Sequence, residues 1–90
     1  MSPEWDARKA RQNLRKHGIS LEEAASVFFD PLSVTGHDPD HSLNEQRFVI
    51  FGVSSLGRLL VVAHVQGEDA IRIISARRTT RAERKLYEED

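Results

Sequence analysis

The amino-acid sequence predicts an α+β domain with two N-terminal helices, an antiparallel sheet of three to four strands and a short C-terminal helix. Three features lead to that reading. Between Ala7 and Phe28 the apolar residues recur at helical spacing in two runs, each preceded by a capping residue and followed by a stop signal. From Arg47 to Val65 two apolar runs are separated only by the turn Ser55-Leu56-Gly57, so the strands they form are antiparallel. In Ala70 to Tyr87, AIRIISARRTTRAERKLY, the hydrophobic period changes from two to about 3.6, the mark of a strand feeding directly into a helix.

Taken in order, Pro3, Glu4 and Trp5 make a short extended start, and Asp6 is the N-cap of a first helix over Ala7 to Lys16. Ala7, Ala10 and Leu14, at i, i+3 and i+7, give that helix a narrow apolar stripe for packing, with Arg8, Arg11 and Arg15 turned away. Gly18 suits the left-handed position beyond the last turn, which ends the helix at His17 and sets Ile19 against Leu14. Ser20 caps the second helix and Glu23 completes its capping box. Leu21, Ala24, Ala25, Val27 and Phe28 form a wide core-facing stripe until Asp30 and Pro31 halt it.

Leu32 to Thr35 reads as a brief edge strand, followed by a polar loop from Gly36 to Asn44. Arg47 to Ser54 and Arg58 to Val65 are apolar on both faces, as interior strands are. Gln66 to Asp69 closes a tight hairpin into the final strand, Ala70 to Arg77, whose β-branched run without Gly or Pro places it centrally in the sheet. Thr80 and Glu83 stand at capping-box spacing and start the last helix.

Ninety residues suffice for one domain with a single modest core. The absence of cysteine excludes disulfides and thiolate metal sites, and no apolar run approaches the ~20 residues of a membrane span, so a cytoplasmic location is expected. The net charge of −1 conceals segregation. Arg8, Lys9, Arg11, Arg15 and Lys16 face only Glu4 and Asp6 at one end, and Arg72, Arg77, Arg78, Arg81, Arg84 and Lys85 face only Glu83 at the other. Two basic ends flank an acidic middle, a pattern that suits a polyanion if the ends meet in space.

The run His37-Asp38-Pro39-Asp40-His41 contains side chains that divalent metals accept, but nothing in the sequence orients them, and no metal or other cofactor is expected. His64 is the odd residue of the sheet. It reads either as a satisfied core histidine or as a proton-transfer group. Barring a bulge, Arg72 and Arg77 lie on opposite faces of their strand, and spacing does not decide which of them joins a site.

The residues Glu4-Trp5-Asp6, Lys9, Asn13-Leu14, Lys16-His17-Gly18, Glu23-Ala24, Arg72-Ile73-Ile74-Ser75-Ala76-Arg77-Arg78, Glu83-Arg84 and Tyr87-Glu88 together resemble the BrnT family of bacterial toxins over essentially the whole chain. That resemblance implies a single RelE-like domain over residues 1–90 and a ribonuclease that arrests translation as the toxin of a type II toxin–antitoxin pair. It also implies neutralisation by a BrnA-type antitoxin of ribbon-helix-helix form, with DNA contacted only through that antitoxin.

Metal-independent RNA cleavage requires a base for the ribose 2′-hydroxyl, an acid for the leaving 5′-oxygen and cations where charge gathers on phosphorus. The first candidates are Arg77 as the bidentate phosphate ligand and His64, across the hairpin from it, as the proton-transfer group or else a second phosphate ligand. Tyr87 is a second candidate acid. Lys9, Lys16, Arg47, Arg58, Arg78 and Arg81 are candidate RNA phosphate contacts, which position a strand without reading its bases. Trp5 is the candidate stacking platform, or else a seal on the sheet edge. The alternative is a module without catalysis, binding nucleic acid or the antitoxin alone.

Overall fold

The computed structural model describes residues 3–38 and 46–89. Helix α1 (Ala7–His17) and helix α2 (Leu21–Ser26) are followed by a 3-10 turn (Val27–Phe29), and a final helix α3 (Arg81–Glu89) closes the chain. Between them strands β1 (Val34–His37), β2 (Arg47–Val53), β3 (Leu59–Gln66) and β4 (Ile71–Arg78) form one antiparallel sheet in the order β1-β2-β3-β4. The α+β architecture is the one the sequence predicts.

One face of the sheet carries the core. Ile50, Leu60, Val62, Ile73 and Ala76 pack against Ile19, Leu21, Ala24 and Val27, with Trp5, Ala10, Ala25 and Phe28 at the margin. The 3-10 turn sits so close to β2 that a Cβ at Gly52 would lie 2.8 Å from Val27 Cγ1, which is why the side chain there is hydrogen. Asp30 then joins three elements: its carboxylate accepts hydrogen bonds from the Leu32 and Val53 amides and from the Tyr87 hydroxyl. Those donors hold its pKa down, the Val53 amide most of all. Tyr87 therefore anchors α3, and its pKa is raised by burial and by the Asp30 carboxylate.

The helix signals operate largely as read. Asp6 accepts from the Arg8 amide, Gly18 ends α1 at φ 70°, and the Thr80–Glu83 box forms in both directions. Only half of the Ser20–Glu23 box forms. Ser20 Oγ accepts from the Glu23 amide, while the Glu23 carboxylate turns inward to Ser54 Oγ and Arg58. A buried carboxylate of this kind needs a cation, and the guanidinium supplies it, holding the Glu23 pKa below the usual carboxylate range.

Three expectations are corrected. The brief edge strand covers Val34–His37 rather than Leu32 to Thr35, because Asp30 turns the chain through Leu32 and Ser33 first. The last strand is an edge strand: β4 has β3 on one side only. Its outer edge is closed by other means. Glu4 forms a parallel bridge there, its amide donating to Ile71 O and its carbonyl accepting from Ile73 N. Further along, the Asn13 amide clamps Ala76, Nδ2 donating to its carbonyl and Oδ1 accepting from its N–H, each at 2.9 Å. Nδ2 also donates to Ile19 O. Protecting an edge in this way prevents pairing with other chains.

The third correction concerns the packed face of α1. Leu14 is 54% exposed, and the buried residue of the helix is Asn13. Of the Ala7-Ala10-Leu14 stripe only Ala10 reaches the core, and the helix docks mainly through the hydrogen bonds of Asn13 to backbone.

His64 belongs to the core face and is fully buried. Phe28 meets its ring edge-on at 5.0 Å, and Phe48 stacks at 5.7 Å. Burial pushes its pKa down, because a charged imidazole would lose its hydration there.

Two outcomes follow for stability. Asn13→Ala strands buried backbone groups and lowers the unfolding free energy by about 3 kcal/mol, while Leu14→Ala changes it by less than about 0.5 kcal/mol, as denaturant titration will show. Because the unfolded chain binds a proton at His64 more readily than the folded one, stability falls as pH drops below about 6.5, with a slope of at most about 1.4 kcal/mol per pH unit from this group. His64→Phe flattens that part of the profile, measured by melts between pH 5 and about 7.5.

Candidate nucleic-acid interface

The β4 strand is not regular. Arg72 pairs with Val65 and Ile73 with His64, but Ser75 pairs with Ala63, so Ile74 is an extra residue without a partner in β3. A single inserted residue exchanges the two faces of everything beyond it. Arg72, Ser75 and Arg77 thus share the face opposite α2, with Val65, Ala63 and Val61, whereas Ile73, Ala76 and Arg78 share the core face with His64, Val62 and Leu60. The expected alternative between Arg72 and Arg77 disappears, since both stand on one face.

His64 and Arg77 do not meet. They project from opposite faces of the sheet, and the imidazole is sealed between Phe28 and Phe48. The expected pairing across the hairpin is corrected by the bulge, which sequence periodicity does not reveal. Arg77 is also engaged: its Nη1 and Nη2 donate to Glu83 Oε1 and Oε2 at 2.8 and 2.9 Å, and Nη1 donates to Arg78 O. This fork holds the first turn of α3 to β4. It also lowers the Glu83 pKa to about 2, so the carboxylate stays charged across the neutral range.

The remaining candidates divide into three groups. Arg58 is committed to Glu23 and the Gly18 carbonyl. Arg78 and Arg81 line a shallow cavity of about 400 Å³ at the β4–α3 junction, together with Arg84, Thr79, Thr80 and Leu59. Lys9 and Lys16 line a second cavity, of about 270 Å³, between α1 and β4, with Gln12, Asn13, His17, Ile74 and Ser75. Lys9 and Ile74 also border a third, of about 160 Å³, where Arg47 and Arg72 stand beside Asp6. Arg72 and Arg78 are six residues apart on β4, so the two basic regions lie about 20 Å from one another.

The cleft between α1 and β4 has the chemistry the junction cavity lacks. It holds an imidazole at His17, two ammonium groups and the Ser75 hydroxyl, and among the described residues neither Lys9, Lys16 nor Arg72 has an ion-pair partner. The larger cavity offers arginines and threonines but no group suited to proton transfer near neutrality. Chemistry, not size, singles out the α1/β4 cleft.

His17, Gln12 and Ser75 are not among the sequence-derived site residues, and Arg72 is there only as the alternative to Arg77. A signal was present. Lys9, Gln12, Asn13, Lys16 and His17 follow i, i+3, i+4, i+7 and i+8, one continuous polar face of a helix. The structure turns that face toward β4 and leaves Leu14 outside. Trp5 is half-buried against the core, the sealing role rather than the stacking one. In the His37 to His41 run, Pro39, Asp40 and His41 lie outside the described residues, and among those described no cluster of three or more metal-type side chains occurs. Among the described residues no helix is long and apolar enough to cross a membrane.

Comparison with known proteins agrees with this architecture. The crystal structure of the Brucella abortus ribonuclease toxin BrnT superposes with a TM-score of 0.66 at 19% identity, covering 90% of this chain and 100% of that one. At that identity the likeness shows the fold. No curated protein matches the chain. The family model described as "Ribonuclease toxin, BrnT, of type II toxin-antitoxin system" matches residues 5–83. With nearly its whole length accounted for, the chain belongs to the BrnT family of ribonuclease toxins.

Proposed function

We propose that this protein is a metal-independent endoribonuclease that inhibits translation, acting through the cleft between α1 and β4. The observation that carries the reading is the polar face of α1 beside β4, which gathers Lys9, Lys16 and His17 around one surface cleft with Ser75 at the bulge of β4. Both lysines are exposed to solvent and free of ion pairs among the described residues, so they are available to an anion that enters the cleft.

In this mechanism a base takes the proton of the ribose 2′-hydroxyl and the 2′-oxygen attacks phosphorus. The 5′-oxygen leaves with a proton from an acid, giving a 2′,3′-cyclic phosphate and a 5′-hydroxyl end. Lys9 and Lys16 stabilise the charge that grows on the phosphoryl oxygens. His17 exchanges protons, since imidazole is the side chain suited to that task near neutral pH. Arg77 supports α3 through Glu83 and acts on the cleft only indirectly, and His64 serves the core. Arg78 and Arg81 extend the basic surface that an RNA strand follows beyond the cleft.

The type II family assignment supports a protein antitoxin as partner. We take it to be of the BrnA ribbon-helix-helix type, through which the complex reaches DNA. Phe29, Leu32, Leu56 and Leu86 are large apolar side chains left in solvent and supply surface for such a protein to cover.

Purified protein is expected to cleave RNA in the presence of EDTA. Lys9→Ala and His17→Ala each lower the cleavage rate by about 100-fold or more with an unchanged melting profile. Arg77→Gln lowers the melting temperature and leaves the rate within about a few-fold, the reverse pattern. Full activity in both cleft variants removes the α1/β4 cleft from the mechanism.

A further inference from the structure

We propose that Arg47, Arg72 and Lys9 form a second anion pocket that binds the phosphodiester next to the one being cleaved, so that the protein recognises at least two consecutive phosphates of a strand. The proposal rests on the nuclease reading for its substrate class and on separate geometry for its site. Arg47 and Arg72 both pair with Val65, from β2 and β4 respectively, and therefore stand in one cross-strand row on the face opposite α2. Two inter-strand spacings separate their backbones by about 10 Å, a gap that two arginine side chains close over a small residue between them. Lys9 comes to the same place from α1.

Like charges placed in one row repel, and among the described residues neither Arg47 nor Arg72 forms an ion pair, although Glu4 stands beside Arg72 on the edge of β4. The carboxylate on the cavity wall is Asp6, whose Oδ1 already accepts from the Arg8 amide as the cap of α1. Arg47 is only partly exposed, and its Nε is buried with no hydrogen-bond partner among the described residues. A buried guanidinium N–H left without an acceptor is costly, and a phosphate in the cavity that draws the side chain toward it would relieve that cost.

The cavity, about 160 Å³, exceeds the ~30 Å³ of a water molecule several-fold and admits a phosphate group. It shares Lys9 and Ile74 with the α1/β4 cleft, so its occupant is the neighbour of whatever fills that cleft. The β-bulge is what makes the two adjacent. Without the extra residue at Ile74, Ser75 would leave the face on which Arg72 stands.

The test uses the full chain and 2′-O-methyl oligoribonucleotides, which lack the attacking hydroxyl and stay intact. A dinucleotide carries one internucleotide phosphate and a trinucleotide carries two. Binding measured by NMR titration should improve about tenfold from the first to the second. In Arg47→Gln/Arg72→Gln that gain disappears while dinucleotide affinity is unchanged, and for a longer oligonucleotide the slope of log affinity against log salt becomes shallower by about 0.7 for each phosphate that the variant no longer neutralises. Arg72→Gln alone, at an exposed position, gives a partial loss if the double variant does not fold. A gain that survives in Arg72→Gln and in the double variant overturns the proposal, as does one abolished instead by Arg78→Gln/Arg81→Gln. RNA that is not cleaved, with the gain intact, counts against the nuclease and for the pocket. Cleavage without the gain counts against the pocket alone.

Discussion

The clamp between the Asn13 amide and the backbone of Ala76 is the contact on which the rest of this molecule depends. It satisfies the exposed polar edge of β4 with a side chain where a further strand would otherwise pair. By the same contact, together with the bond to Ile19 O, it fixes the turn of the chain after α1 and the rotation of α1 about its own axis. A helix clamped through Asn13 brings the polar residues on the same face to the flank of β4, where Lys9, Gln12 and Lys16 stay exposed and His17 is half-buried. The cleft lined by Lys9, Lys16 and His17 is the result.

The bulge at Ile74 is the second constraint, and it acts on faces rather than on edges. Before it, Ile73 is in the core and Arg72 is outside; after it, Ala76 is in the core and Arg77 outside. A regular strand with this sequence would bury one member of the arginine pair or expose one of the core residues. Bulges at the rim of a sheet often redirect side chains at functional sites. Here the redirection places Arg72 in register with Arg47, and Ser75 at the mouth of the α1/β4 cleft.

Charge is distributed by the same logic. Glu23 takes Arg58, and Glu83 takes Arg77, each through a bidentate fork whose carboxylate has a lowered pKa. Those two arginines hold elements together, one joining α2 to the turn between β2 and β3 and one at the start of α3. Lys9, Lys16 and Arg72 have no such partner among the described residues, and they border neighbouring cavities on one flank of the molecule. Basic residues therefore serve two ends. Where a carboxylate is supplied they are structural, and where none is supplied they leave positive charge on the surface, the charge the proposed RNA contact would use.

Local signals decided much of this protein by themselves. Asp6, Gly18, Ser20, Thr80 and Glu83 placed the helix termini, because caps act within four residues of chain, and the apolar runs of β2 and β3 placed the inner strands. The combination of Trp5-Asp6 at the start, Lys16-His17-Gly18 at the end of α1 and the Arg72–Arg77 run of β4 is enough to bring the BrnT family into view. Tertiary structure decided the rest. That β4 is an edge, that Asn13 rather than Leu14 faces inward, that His64 is walled in by Phe28 and Phe48, and that Arg77 belongs to Glu83 all depend on partners distant in sequence or on one unpaired residue. Periodicity assumes an uninterrupted strand, and a charge count assumes unpaired charges. Neither assumption survives a bulge or a carboxylate arriving from another element, and for that reason the site could be placed only once the chain was folded.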